Sequence, residues 1–151
     1  RYLDTYWSRF PGVWVHGDWA LETEEGDWYI LGRSDDTLNI AGKRVGPAEV
    51  ESSACRLASV REAAAIGVPH PVKGEGVVVF VVPSADEPAD ELRDAVAGAV
   101  AADLGRALRP ETVLLVEELP KTRNGKVLRR LIRQVHLGEP LGDLGSLERP
   151  E

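Results

Sequence analysis

Apolar residues recur along this chain at more than one period, and each period predicts its own element. From Val13 to Ala20 and from Trp28 to Leu31, aromatic and β-branched residues flank the acidic stretch Thr23 to Asp27. Glu25-Gly26-Asp27 suits a tight turn, so the pair reads as an antiparallel hairpin. Trp14, Trp19, Trp28 and Tyr29 are more apolar surface than so short a unit can bury on itself, which predicts a larger body to cover them. Thr37 to Ala41 reads as a short strand, Gly42 and Gly46 as turns, and Pro47 as the first residue of a helix reaching about Leu57. Ala63 to Val68 and Val77 to Val82 are continuous apolar runs of strand length joined by PHPVKGEG, and they read as central strands. Leu92, Val96, Val100 and Leu104 fall at helical spacing behind Glu87, Asp90 and Glu91, and Gly105 ends that helix. A strand from Val113 to Val116 follows. Val127, Leu128, Leu131, Ile132 and Val135 share one helical face opposite Arg129, Arg130 and Arg133, which predicts an amphipathic helix starting at Lys126. Glu139 to Glu151 has no periodicity. The order predicts an α+β fold: a small sheet of about three strands packed by helices, behind an N-terminal β-hairpin.

Composition narrows this picture. At 151 residues and 43% hydrophobic content the chain can hold one ordinary domain, or one domain and a piece of another, and the absence of methionine predicts a segment cut from a longer protein. The formal charge of −7 argues against polyanion binding, yet from Leu119 to Gly138 there are six Lys or Arg and no acid. No aromatic is interleaved there for base stacking, so nucleic acid is not expected as a partner. Apolar runs fall short of the roughly 20 residues that span a bilayer, and the first residues carry no secretory apolar core, so the expectation is no membrane and a cytoplasmic location. Cys55, alone in the sequence, reads as a small buried residue.

The chemistry concentrates at PKTRNGK, Pro120 to Lys126. Asn124-Gly125 is a turn signal, because both residues tolerate positive φ, and it places Lys126 at the tip of a loop. A cation at a helix N-terminus opposes the helix dipole, whereas a bound anion there is favoured by both dipole and ammonium. Lys126 therefore reads as a residue that meets a phosphate or carboxylate. A Walker phosphate loop is excluded, since Pro120 and Val127 stand where glycine and Ser/Thr are required. His16, His70 and His136 lack ligand-spaced partners, so no metal site is expected and they read as turn or surface residues. No nucleophile elbow or Cys/His pair supports covalent catalysis.

The stretches GRSDDTLNIAGKRVGPAEVE (32–51), PHPVKGE (69–75) and LPKTRNGKVLRR (119–130), with Gly17-Asp18, together resemble the C-terminal part of the adenylate-forming acyl-CoA synthetases. The ending LGDLGSLERP is most similar to the acetyl- and propionyl-CoA synthetase branch. The resemblance implies an acid-thiol ligase that uses ATP with Mg2+ and CoA as substrates. In it a small C-terminal lid rotates against a large domain between acyl-adenylate formation and thioester formation. By resemblance, residues 1–34 are the end of the large adenylation domain and 35–151 are the mobile lid. Lys126 is then the adenylation lysine, Asp35 the hinge, and Asp18, Arg33 and Arg44 nucleotide contacts. Gly42 and Lys43 belong to the loop that passes CoA in the thioester-forming state, and this loop and Lys126 are expected on different faces of the lid. Where some acetyl-CoA synthetases carry an arginine for the CoA 3′-phosphate this chain has Ala101, with Arg106 or Arg109 as candidate substitutes. Expected partners are the missing N-terminal domain, a small carboxylic acid, and a lysine acetyltransferase and deacetylase acting on Lys126. No cofactor is expected to bind the fragment tightly, and the fragment alone should be inactive. Alternatives are an adenylation domain loading a carrier protein, or a regulatory module recognised by the acetyltransferase.

Overall fold

Eight consecutive residues of the chain, Gly76 to Pro83, contain no side chain more polar than proline, because the strand they form is covered on both faces. In the computed structural model, which describes residues 2–34, 36–84, 88–142 and 144–148, the chain divides into two units, residues 1–35 and 36–151.

The first unit holds helix α1 (Tyr2–Trp7) and the antiparallel strands β1 (Asp18–Glu22) and β2 (Trp28–Arg33), the hairpin read from its aromatic clusters. Its turn is Thr23-Glu24-Glu25-Gly26-Asp27: Thr23 N donates to Asp27 O at 2.9 Å, Gly26 N to Thr23 O at 3.0 Å, and Asp27 N to Thr23 Oγ1 at 3.2 Å. Gly26 takes φ 87°, which the turn requires. Trp28 is 65% exposed and Ile30 68%, and Trp14, Trp19 and Tyr29 are exposed with them. Tyr6 and Trp14 stack at 5.7 Å between centroids, so α1 shields part of this surface.

The second unit is α+β. Strands β3 (Leu38–Ile40) and β4 (Lys43–Val45) form a short hairpin, helix α2 (Pro47–Ala54) follows, and β5 (Val60–His70) and β6 (Gly74–Pro83) pair antiparallel. Helix α3 (Ala89–Leu104) crosses back so that β7 (Thr112–Leu115) lies parallel to β6, and α4 (Arg129–Leu137) closes the unit. The strands read from the sequence after residue 36 are β3, β5, β6 and β7, and β4 adds to them. The β3–β4 hairpin joins the others by the single pairing Ile40 to Gly74.

Side chains of β6 alternate between two cores, as the two-residue strand period requires. Val77, Val79 and Val81 pack with Val50 of α2 and Leu92, Val96 and Val100 of α3; Val78 and Val82 pack with Leu119 and Ile132 on the α4 side. Leu38, Ile40 and Val45 of the small hairpin join the first core, and Val127 joins the second. Helix α2 starts at Pro47, with Gly46 N donating to Glu49 Oε1 at 3.1 Å as an N-terminal cap.

Three expectations are corrected. Helix α4 begins at Arg129, not Lys126, because residues 121–127 close a second hairpin through the bridge between Lys121 and Val127. Cys55 is exposed, at the C-terminal cap of α2, where the chain turns away from the core. Partial burial, then the nearby carboxylates of Glu51 and Glu62, push its thiol pKa up, so it is held as the thiol. Finally, Arg129 and Arg133 do not form a solvated face: each is partly buried and paired with protein oxygens.

Candidate functional site

The Lys126 turn repeats the turn of the first unit. Thr122 N donates to Lys126 O at 2.8 Å, Gly125 N to Thr122 O at 2.8 Å, and Lys126 N to Thr122 Oγ1 at 3.1 Å. Gly125 adopts φ 77°, and a Cβ there would meet nothing within 4 Å, so its backbone conformation alone demands glycine. The threonine at the head of Thr-x-x-Gly-x, present at both Thr23 and Thr122, is the signal that sequence reading missed. It accepts from the residue after the glycine and so fixes where Lys126 leaves the turn.

Around this turn the basic charge is neutralised one residue at a time. Lys121 Nζ lies 2.6 Å from Glu62. Arg129 makes a two-pronged pair with Glu51, Nε to Oε1 and Nη2 to Oε2 both at 2.6 Å, with Asp36 Oδ2 3.8 Å from its Nη1. Donating hydrogen bonds to the Glu51 carboxylate raises the Arg129 pKa above its ordinary value, and burial opposes this in part. Arg133 donates to Gly67 O at 3.0 Å and pairs with Glu139, while Arg130 reaches Gln134 at 3.2 Å. Arg123 and Lys126 are left exposed with no side-chain ion pair among the described residues. They line an open depression with Thr122, Asn124, Gly145 and Ser146, held by the tail through Glu148 N donating to Lys121 O at 2.9 Å.

The other residues singled out fall in two further places. In the first unit Asp18 and Arg33 are cross-strand partners, with Arg33 Nη1 3.4 Å from Asp18 Oδ1 and donating to His16 O at 3.0 Å. His16 Nδ1 also touches Asp18 Oδ2. Gly17 takes φ 86°, a conformation that favours glycine, and packs against the end of the Arg33 side chain. In the second unit Gly42, Lys43 and Arg44 occupy the tip and return strand of the β3–β4 hairpin, with Ala41 at φ 50° and Gly42 at φ 79°. A Cβ on Gly105 would lie 3.9 Å from Lys43 Nζ, so that ammonium stands over the C-terminus of α3, where the helix dipole favours a cation. Ala101 N-terminal to it accepts the Gly105 amide, and Arg106 is exposed in the 3-10 turn that follows. Arg109 lies 3.8 Å from Asp94. Asp35 lies outside the described residues. The Gly42 and Lys126 turns join opposite faces of the sheet, as their flanking core residues show. No cluster of metal-ligating side chains and no helix long and apolar enough to cross a membrane occurs among the described residues.

A family model described as the AMP-binding enzyme C-terminal domain matches residues 49–126, from α2 to the lysine itself. The chain belongs to that family. Within it, the chain is 43% identical over 98% of its length to acetyl-coenzyme A synthetase of Pyrobaculum aerophilum, and 42% identical over its full length to that of Methanothrix thermoacetophila. It spans 22% and 24% of those two proteins. Among solved structures, acetoacetyl-CoA synthetase from Streptomyces lividans superposes with a TM-score of 0.83 at 32% identity, over 99% of this chain and 23% of that one. The anthranilate CoA ligase AuaEII, solved with anthranoyl-AMP, superposes with a TM-score of 0.70 at 31% identity, over 82% of this chain and 24% of that one.

Proposed function

We propose that this chain is the C-terminal lid, with the last hairpin of the preceding adenylation domain, of an AMP-forming acyl-CoA synthetase acting on a short-chain carboxylic acid. The observation that carries the reading is Lys126: an exposed cation on a fixed hairpin, unpaired among the described residues in a segment whose other cations are mostly neutralised. Such a group is suited to charge that develops in a transition state and is absent before it.

In the first half-reaction the acid's carboxylate oxygen attacks the α-phosphorus of ATP. The bond to the β-phosphate oxygen breaks and pyrophosphate leaves. The Lys126 ammonium stabilises the carboxylate and α-phosphoryl oxygens and forms no covalent bond. In the second, the CoA sulfur attacks the acyl carbon of the adenylate and AMP leaves. Gly42, with no side chain at the hairpin tip, lets pantetheine approach the backbone, and Arg44 is assigned to a nucleotide phosphate. Arg106, exposed just beyond the Gly105 that lies under Lys43, is the cation we assign to the CoA phosphate in place of an arginine at Ala101. Asp18 accepts hydrogen bonds from the ribose hydroxyls, with Arg33 bridging its carboxylate and the His16 carbonyl. The anthranoyl-AMP of the similar ligase is an acyl-adenylate, the intermediate this scheme requires. Mg2+ enters as the counter-ion of ATP. Asp35 is the proposed hinge, the protein is assigned to the cytoplasm, and acetylation of the exposed Lys126 would remove the charge that adenylation needs.

The test uses the full-length synthetase carrying this chain. Lys126→Ala is expected to lower acid-dependent pyrophosphate exchange by about 10²–10³-fold while thioester formation from supplied acyl-adenylate survives. Equal loss of both half-reactions would sink the role. Transfer to a carrier-protein thiol in preference to CoA would favour the carrier-loading alternative.

A further inference from the structure

The motif PHPVKGE has no place in that scheme, and the structure gives it one. The hairpin bearing Gly42 meets the sheet through a single strand pairing, Ile40 with Gly74. Two hydrogen bonds support it: Ala41 N donates to Lys73 O at 2.8 Å, and Asn39 N to Glu75 Oε2 at 2.7 Å. All of these contacts fall on Lys73, Gly74 and Glu75, at the turn between β5 and β6. The turn therefore anchors the Gly42 hairpin on its sheet side, while Leu38, Ile40 and Val45 anchor it in the core.

The turn in turn is shaped by His70. Its Nδ1 accepts hydrogen bonds from Val72 N and Lys73 N, both at 3.1 Å. With Nδ1 an acceptor, the ring proton is on Nε2, which lies 3.7 Å from Glu111 Oε1. The same Glu111 oxygen takes Lys73 Nζ at 2.6 Å, and that hydrogen bond is the main cause holding the Glu111 carboxyl below its ordinary pKa. Glycines make room for these carboxylates. A Cβ on Gly76 would come within 2.7 Å of Glu111 Cγ, and one on Gly67 within 2.9 Å of Glu75 Oε1. Among the described residues no hydrogen bond or ion pair links these side chains to the Lys126 turn, whose backbone bonds run to Thr122 and the tail.

We propose that His70 is a positioning residue for thioester formation: its Nδ1, seconded by the Lys73–Glu111 pair, holds the β5–β6 turn on which the Gly42 hairpin rests. The inference rests on the assignment of that hairpin to the CoA step. It accounts for His70, Lys73, Gly74, Glu75 and Gly76 as parts of one support.

Three variants of the full-length synthetase test it: His70→Ala, His70→Asn and Gly42→Leu. Each is assayed for acid-dependent pyrophosphate exchange and, separately, for thioester formation from supplied acyl-adenylate and CoA. His70→Ala is expected to lower thioester formation about tenfold, the scale of two backbone donors losing their acceptor, while pyrophosphate exchange stays within about twofold. His70→Asn is expected to restore most of the loss, because an asparagine Oδ1 can accept from the two following amides. Loss of both half-reactions in His70→Ala, or no rescue by asparagine, overturns the positioning role. So does an unaffected thioester step in His70→Ala alongside an impaired one in Gly42→Leu. If Gly42→Leu itself spares the thioester step, the assignment of the hairpin falls and the inference with it.

Discussion

The chain contains two glycine-lysine turns, Gly42-Lys43 and Gly125-Lys126, that look alike in sequence and differ in electrostatic setting. In both, a glycine at positive φ reverses the chain and the lysine follows it at the hairpin tip. Lys43 stands over the C-terminal end of a sixteen-residue helix, where a cation is stabilised. Lys126 lies just ahead of the N-terminus of α4, whose first turn holds Arg129 and Arg130 and no acid. A cation there gains nothing from the dipole until an anion arrives. The first turn joins the core shared with α2 and α3, the second the core under α4. One sheet thus presents two lysine-bearing tips on opposite faces, one over a helix C-terminus that favours its charge and one ahead of a helix N-terminus that does not.

The largest way to sharpen this contrast is in activity. Lys126→Ala is expected to cost about 10²–10³ in adenylation rate, the range for loss of one electrostatic donor to a transition state. Its thermal stability should stay within about 0.5 kcal/mol, as for other exposed sites. A variant that lost stability in proportion to activity would break the contrast, because Lys126 would then be structural. Next comes Arg129, the neighbouring cation that is settled. Arg129→Ala leaves Glu51 half-buried without its partner and is expected to destabilise the chain by about 2–3 kcal/mol in urea denaturation, against under about 0.5 kcal/mol for Arg123→Ala. Glu51 would keep its hydrogen bond from Ala65 N at 2.9 Å, which limits the loss.

The smallest effect concerns the support of the Gly42 tip. The Glu111 pKa is depressed by Lys73, so the pair's stabilisation is present above the ordinary carboxylate range and is lost as pH falls through the lowered value. At partial exposure it is worth under about 1 kcal/mol. Urea denaturation between about pH 6 and pH 3 should show the Lys73→Ala deficit shrinking toward acid. A deficit constant with pH would contradict the ion pair's contribution.

What was legible in the sequence follows from which interactions are local. The apolar runs of β5 and β6, the spacing Leu92, Val96, Val100 on α3 and the Pro47 start of α2 each encode their element within a few residues, and all four elements formed. Helix α4 was read three residues too early because Val127 and Leu128 carry the right apolar character, while the bridge from Lys121 to Val127 uses their backbone for a hairpin. The pairing of Arg129 with Glu51 spans 78 positions, and no local pattern announces it. Cys55 was misplaced for a similar reason: helical spacing says where a face lies, but α2 ends at Ala54, so Cys55 does not continue it. At the candidate site, Lys126 was found from turn chemistry and the proximity of Asp18 to Arg33 only from the resemblance. The role of His70 needed the fold, because its two acceptor bonds are local but what they support, the hairpin at Ala41, is 29 positions away in sequence.

The proposed assignment of the two tips to different half-reactions is open to a crossed assay. Lys126→Ala and Gly42→Leu are placed in the full-length synthetase, and each is measured in acid-dependent pyrophosphate exchange and in thioester formation from supplied acyl-adenylate. Lys126→Ala is expected to lose the first and keep the second, while Gly42→Leu is expected to keep the first and lose the second. Loss of the same half-reaction in both variants would contradict the assignment.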